Sequence, residues 1–258
     1  MLQSMSRISN ARLLRLNRIM AAVHFAQGIL VLLLSRQFSL PIKTDYLFYN
    51  ESTRSLQAAQ HTVFDLSLPA LIAGFFFISA FAHLMISTLY SKTYVGNLDK
   101  GINKARWFEY SVSASVMIVA ISLLVGIYDI AILAGAFALT AVMNLMGLVM
   151  EVHNQTTKKT NWLSYWIGTF AGLVPWAVIA FYFWASAQYG NASPPTFVYY
   201  IFVSIFLFFS CFAINMILQY AKSGKWKDYR FGELIYIWLS LVAKSALAWQ
   251  VFAGTLRP

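Results

Sequence analysis

Apolar residues run through this chain in blocks too long for strands and too unbroken for the amphipathic helices of a soluble domain. Polar residues collect between the blocks. A bilayer-crossing helix needs about 20 predominantly apolar residues. Seven blocks qualify, at roughly 12–35, 64–90, 103–126, 130–151, 161–186, 196–220 and 230–255. A short turn around Tyr128-Asp129 separates the third and fourth. A turn-rich stretch, Gly190 to Pro195 with Pro194-Pro195, separates the fifth and sixth. The first connection, Arg36 to Thr62, is longer. Its Tyr46, Phe48 and Tyr49 alternate with other residues in a way that predicts two short strands in a hairpin. The pattern therefore predicts an all-α bundle of seven transmembrane helices with a β-hairpin in the first outer loop, as one domain over 1–258.

Composition agrees. The chain is 59% hydrophobic and 11% charged, against about a quarter charged in soluble domains. The lone Cys211 excludes an intrachain disulfide and a cysteine-based metal site. The basic N-terminus leads into a long span with no small-residue cleavage site, unlike a secretory signal. The net charge of +10 does not point to nucleic acid, because the basic residues sit in short loops between spans. Fourteen lysines and arginines flank one side of the predicted bundle and four the other; Lys244, inside the seventh span, completes the 19. The fourteen include Arg7, Lys92, Arg106, Lys158 and Lys227. The imbalance places the N-terminus in the cytoplasm and the C-terminus outside a cell membrane.

Lys244 lies about 14 residues into its helix, too deep to snorkel easily, in Leu-Val-Ala-Lys244-Ser-Ala. A charged lysine at that depth is costly unless paired or modified. An imine with an aldehyde would make it a tether; an ion pair would equally satisfy it, and the residues alone leave both open. Glu109 is the matching acid, within the third span, whereas Asp65, Asp129, Glu151 and Glu233 fall near span ends or outside. His24 and Gln27 share a face of the first span, and His83 lies in the second. Side chains lean toward the N-terminus of their own helix, and Ser240 is one turn from Lys244 in that direction. Depth thus brings Lys244, Ser240, Glu109, His83, His24 and Gln27 toward one polar pocket in the inner half. A metal on the two histidines lacks a third ligand at suitable spacing. Trp176, Phe206, Phe209 and Trp249 are rings able to wall a flat polyene, although most of the chain's aromatics are expected to pack or face lipid.

Two motifs are specific. Ser240-Leu-Val-Ala-Lys244-Ser-Ala-Leu-Ala-Trp-Gln250 and Arg106-Trp-Phe-Glu109-Tyr-Ser-Val-Ser-Ala-Ser-Val-Met-Ile118 closely resemble the seventh and third helices of the heliorhodopsins. His24, Gln27, His83, Gly172-Leu-Val-Pro-Trp176 and Ser204-Ile-Phe-Leu-Phe-Phe209 support the resemblance, which covers essentially the whole chain. Ordinary microbial rhodopsins differ: they have the reverse orientation, usually an aspartate where this chain has Ser240, and usually a tryptophan in helix six. The resemblance implies all-trans retinal on Lys244 as a Schiff base, isomerised by light to 13-cis, with Glu109 as counterion. It implies that Ser240 supports the Schiff base and that His24, Gln27 and His83 line a hydrated cavity beside it. Ser113, Met143, Asn144, Trp176, Phe206 and Phe209 are the further expected retinal contacts, Asn144 being placed to alter colour.

The same resemblance implies a homodimer, a slow photocycle and a photosensory role without ion transport, read by an unidentified signalling partner. The alternatives are a light-driven proton transporter or channel, and a helical receptor without retinal. No carboxylate stands on the outer side of Lys244, which argues against a through-path. No water-exposed nucleophile–base pair suggests an enzyme. Asn50-Glu-Ser52 and Asn191-Ala-Ser193 match glycosylation sequons on the outer side.

Overall fold

A computed structural model describes residues 8–190 and 195–258. Arg7, the Asn191-Ala-Ser193 sequon and Pro194 lie outside the described residues. Helix α1 is Asn10–Leu34, followed by strands β1 (Ser39–Asn50) and β2 (Ser55–Ser67). Seven further helices follow: α2 (Leu68–Ser87), α3 (Ser91–Asp99), α4 (Lys104–Leu124), α5 (Ile130–His153), α6 (Leu163–Tyr189), α7 (Thr196–Tyr220) and α8 (Tyr229–Val251). Among the described residues, all but α3 are long and apolar enough to cross a membrane, seven in total. α4 is the most enclosed of the seven. Large side chains such as Leu33, Phe81 and Phe170 remain exposed on the bundle surface. Water would make that surface an aggregation liability, whereas lipid does not.

Local chemistry sets the boundaries. Ser9 caps α1 by accepting the Arg12 N–H at 3.2 Å. α2 starts at Leu68 rather than 64, because Ser67 caps it and Pro69 fits the first turn. Residues 64–67 belong instead to β2, where Phe64 and Leu66 extend the hydropathy signal past the helix. The hairpin is longer than expected, with Ser39 paired to Ser67, Asn50 to Ser55, and a register shift at Ile42/Lys43. At its tip Asn50 Oδ1 accepts the Ser52 N–H at 3.0 Å, and Arg54 takes a positive φ of 50°. The short α3 was read from sequence as loop. Its Tyr94 and Leu98, four apart, pack into a cluster with Leu13, Ile86 and Ile237.

The hairpin marks one end of the bundle. The half next to it is filled by Leu68, Ile72, Phe76, Ile118, Ile121, Leu247 and Val251, all nearly or fully buried. The opposite half holds Asn17, His24, Ser79, His83, Arg106, Glu109, Glu151, Glu233, Ser240 and Lys244, also buried. Burying these ten polar residues is tolerable only if they satisfy one another or water.

Candidate functional site

Lys244 on α8 is 3% exposed. Its Nζ donates to Ser240 Oγ at 2.7 Å, one turn toward the N-terminus of the same helix. It lies 3.3 Å from Glu109 Oε1 on α4 and 5.3 Å from the centroid of the Tyr110 ring. The buried base and acid singled out by depth are thus an ion pair. Glu109 Oε1 also accepts the Ser79 hydroxyl at 2.6 Å. Ser79 was missed in the sequence; its signal is the four-residue spacing to His83, which puts both on one face of α2.

His83 Nδ1 lies 2.6 Å from Asn17 Oδ1, and its ring stacks on His24 with centroids 5.4 Å apart and planes 7° apart. His24 is fully buried, and neither ring nitrogen has a protein partner. Such a ring calls for water beside it. Gln27 lies elsewhere. It is half-buried and accepts the Trp249 indole N–H at 3.0 Å, joining α1 to the hairpin-side part of α8. Ser113, one turn beyond Glu109, is fully buried, with its hydroxyl close to the Glu109 carboxylate.

A small cavity at Lys244 joins a larger one farther from it. One, about 40 Å³, is bounded by Lys244, Ser240, Tyr110, Met117 and Ala243. The other, about 250 Å³, runs between α5, α6 and α7 past Gly168, Gly172, Trp176 and Phe206. Met143, Asn144, Phe209 and Phe212 line both, so the two form one slot leading away from Lys244. Trp176 meets Phe206 and Phe209 edge to face at 5.3 and 5.4 Å, a geometry aromatic pairs favour. Asn144 donates to Thr140 O at 2.8 Å within its own helix, which leaves its amide oxygen free to face the slot. Gly172 lets Met143 of α5 pack against α6 along this slot: a Cβ there would come within 2.1 Å of Met143 Sδ.

A second polar cluster was not expected. By sequence position Arg106 belongs with the loop cations, and Glu151 and Glu233 with the span-end acids. All three are at most 4% exposed, and the guanidinium pairs with both carboxylates. Glu151 also accepts the Asn103 backbone N–H and the Tyr229 hydroxyl, each at 2.8 Å. Glu233 accepts Asn103 Nδ2 at 2.7 Å and the Tyr94 hydroxyl at 3.2 Å. Tyr94, on α3 outside the spans, is held well above the ordinary phenol pKa, first by burial and then by the Glu233 carboxylate. The legible signal was the spacing of Arg106 and Glu109 on one helix face; the acids come from helices whose register the sequence does not fix.

Seven crossing helices, a lysine–carboxylate pair inside them and an aromatic slot define a rhodopsin-type membrane protein. In architecture the chain is similar to cyanorhodopsin N4075R from the cyanobacterium Tolypothrix sp. NIES-4075. The TM-score is 0.62 at 14% identity, over 95% of this chain and 94% of that one, a likeness of fold alone. No curated protein matches the sequence. Residues 13–256 match the family model for heliorhodopsin, nearly the whole chain, and the protein belongs to the heliorhodopsin family.

Proposed function

We propose that the protein is a photosensory pigment whose Lys244 carries all-trans retinal as a protonated Schiff base, with Glu109 as counterion. The slot supports this reading. It is apolar and aromatic, and it begins at the buried Lys244 side chain. Trp176, Phe206, Phe209 and Met143 would hold the polyene, with Asn144 beside it. Bound retinal supplies visible absorption, isomerisation to 13-cis and a slow dark return. The chain's residues do the rest. Glu109 offsets the positive charge on the Lys244 nitrogen, Ser79 and Ser240 hold the two partners in place, and His24 and His83 border them with titratable nitrogens.

The observation that favours sensing over transport is the apolar half next to the hairpin. Beyond Lys244 toward that end, α8 offers only Ser245 and Gln250 as side-chain hydrogen-bonding groups besides the Trp249 indole; Gln250 is engaged with Ser204 at 3.0 Å and Trp249 with Gln27. A proton leaving Lys244 therefore finds acceptors on one side only. With the fourteen-to-four charge imbalance, that side is cytoplasmic. The reading has the protein working as a membrane homodimer that turns over no substrate and signals through a partner.

The test is expression with retinal. A visible band reducible by borohydride, absent in Lys244→Ala, together with no protonophore-sensitive pH change under light, is the expected result. A sustained light-driven pH change absent in Lys244→Ala would make the protein a transporter.

A further inference from the structure

The Arg106 cluster has more negative than positive charge. One guanidinium faces two carboxylates, all three nearly without solvent. Among the described residues no second cation touches either carboxylate. Tyr94, Tyr229 and Asn103 reach them as neutral donors, Tyr236 presents its ring to the guanidinium at 3.9 Å, and Tyr220 bonds to Met150 O beside Glu151. A buried surplus charge is costly, and a single proton on one carboxyl removes it.

The cluster is also connected to Lys244. A cavity of about 20 Å³ is lined by Glu109, His83 and Tyr110 at one end and by Arg106, Asn103 and Glu233 at the other. That volume suits about one water. Arg106 Nε, buried and without a protein partner, is a donor that such a water would satisfy. Side chains border the same space: His83 Nδ1 lies 2.6 Å from Asn17 Oδ1, and the Tyr94 hydroxyl donates to Glu233 at 3.2 Å.

The two carboxylates are not equivalent. Only Glu233 lines the cavity that reaches Glu109 and His83. Each accepts from one hydroxyl that can reverse, Tyr229 on Glu151 and Tyr94 on Glu233, and from one N–H of Asn103 that cannot.

We propose that the Arg106–Glu151–Glu233 cluster is a proton-binding site and that Glu233 takes the proton released from the Lys244 nitrogen. In this step an N–H bond at Lys244 breaks and an O–H bond at Glu233 forms. The positive charge at Lys244 and the surplus negative charge of the cluster disappear together, and the dark return reverses both. The proton stays inside the bundle, on the end opposite the hairpin. This rests on the reading of Lys244 given above.

Infrared spectroscopy of the full chain in lipid nanodiscs tests it twice. In the dark and without added retinal, the acid-minus-neutral spectrum is expected to contain a protonated-carboxyl C=O band that Glu233→Gln removes and Glu233→Asp moves. With retinal, the light-minus-dark spectrum at neutral pH is expected to gain the same band, again lost in Glu233→Gln. Glu151→Gln removes the surplus charge while leaving Glu233, and is expected to diminish the light-induced gain. A dark band indifferent to both Glu233 variants, or a light-induced gain that survives Glu233→Gln, overturns the proposal. Failure to form a visible pigment overturns the reading of Lys244 and with it the transfer step, while the dark band alone then decides whether Glu233 binds a proton. Melting temperature monitors folding, and the conservative Glu233→Asp keeps the test decisive if Glu233→Gln is unstable.

Discussion

Ser79 holds Glu109 more closely than Lys244 does, at 2.6 Å against 3.3 Å, and from a different helix. The carboxylate is therefore fixed first by a neutral donor on α2 and only then by its charged partner on α8. A hydrogen bond to a charged group contributes about 1.5–3 kcal/mol. Ser79→Ala is expected to shift the visible absorption of the retinal-loaded protein, and Ser79→Thr to restore it. An unchanged spectrum in Ser79→Ala would mean that Glu109 is positioned without α2.

The buried Arg106 pairs predict an order of stabilities. Arg106→Met leaves two carboxylates facing each other and is expected to cost about 3–5 kcal/mol. Glu151→Gln keeps a neutral Arg106–Glu233 pair and is expected to cost about 1–3 kcal/mol. Thermal denaturation in one detergent ranks them. Equal or inverted melting temperatures would show that the surplus charge is not a stability determinant.

Tyr94 predicts a loss of stability in alkali. Its phenol is held neutral in the fold, whereas in the unfolded chain it ionises near pH 10. Above that pH the unfolded chain gains by releasing a proton that the fold retains, so stability falls as pH rises further. Tyr94→Phe removes this contribution and is expected to flatten the decline of melting temperature above pH 10. The same slope in both proteins would place the alkaline sensitivity in other tyrosines.

Gly172 predicts a steric block. A methyl there must displace Met143 Sδ, which lies 2.1 Å from the added carbon. Met143 itself lines the slot. Gly172→Ala is expected to slow pigment formation from added retinal several-fold or to shift its spectrum, with helix content unchanged in circular dichroism. Wild-type kinetics and colour would mean that Met143 moves away from the slot.

The seven spans and the Lys244–Glu109 pair were legible because the bilayer penalises a buried charge so heavily that each one marks a site. Ser79 was not, since serines are common in such helices and only a contact with another helix distinguishes this one. Arg106, Glu151 and Glu233 failed differently. Each sits about one turn from a span end, where a charge in sequence looks solvated, and only helix packing turns all three inward. The start of α2 differs from the sequence reading because Phe64 and Leu66 at the end of β2 adjoin the apolar run of the helix it feeds.

The two ends of the bundle are tied by different chemistry. At the hairpin end the ties are main-chain: Arg36 N–H to Leu256 O at 2.8 Å, Lys43 N–H to Tyr128 O at 2.9 Å and Leu68 N–H to Phe38 O at 3.0 Å. At the other end, Arg230 joins Asp99 and Asn10 through its side chain, and the Arg106 cluster binds three helices, α4, α5 and α8, by charge. Peptide groups neither titrate nor respond strongly to salt, whereas partly exposed ion pairs do both. The molecule is thus a sheaf bound fast at one rim and laced at the other, and changes in ionic strength act first on the exposed Arg230–Asp99 lace.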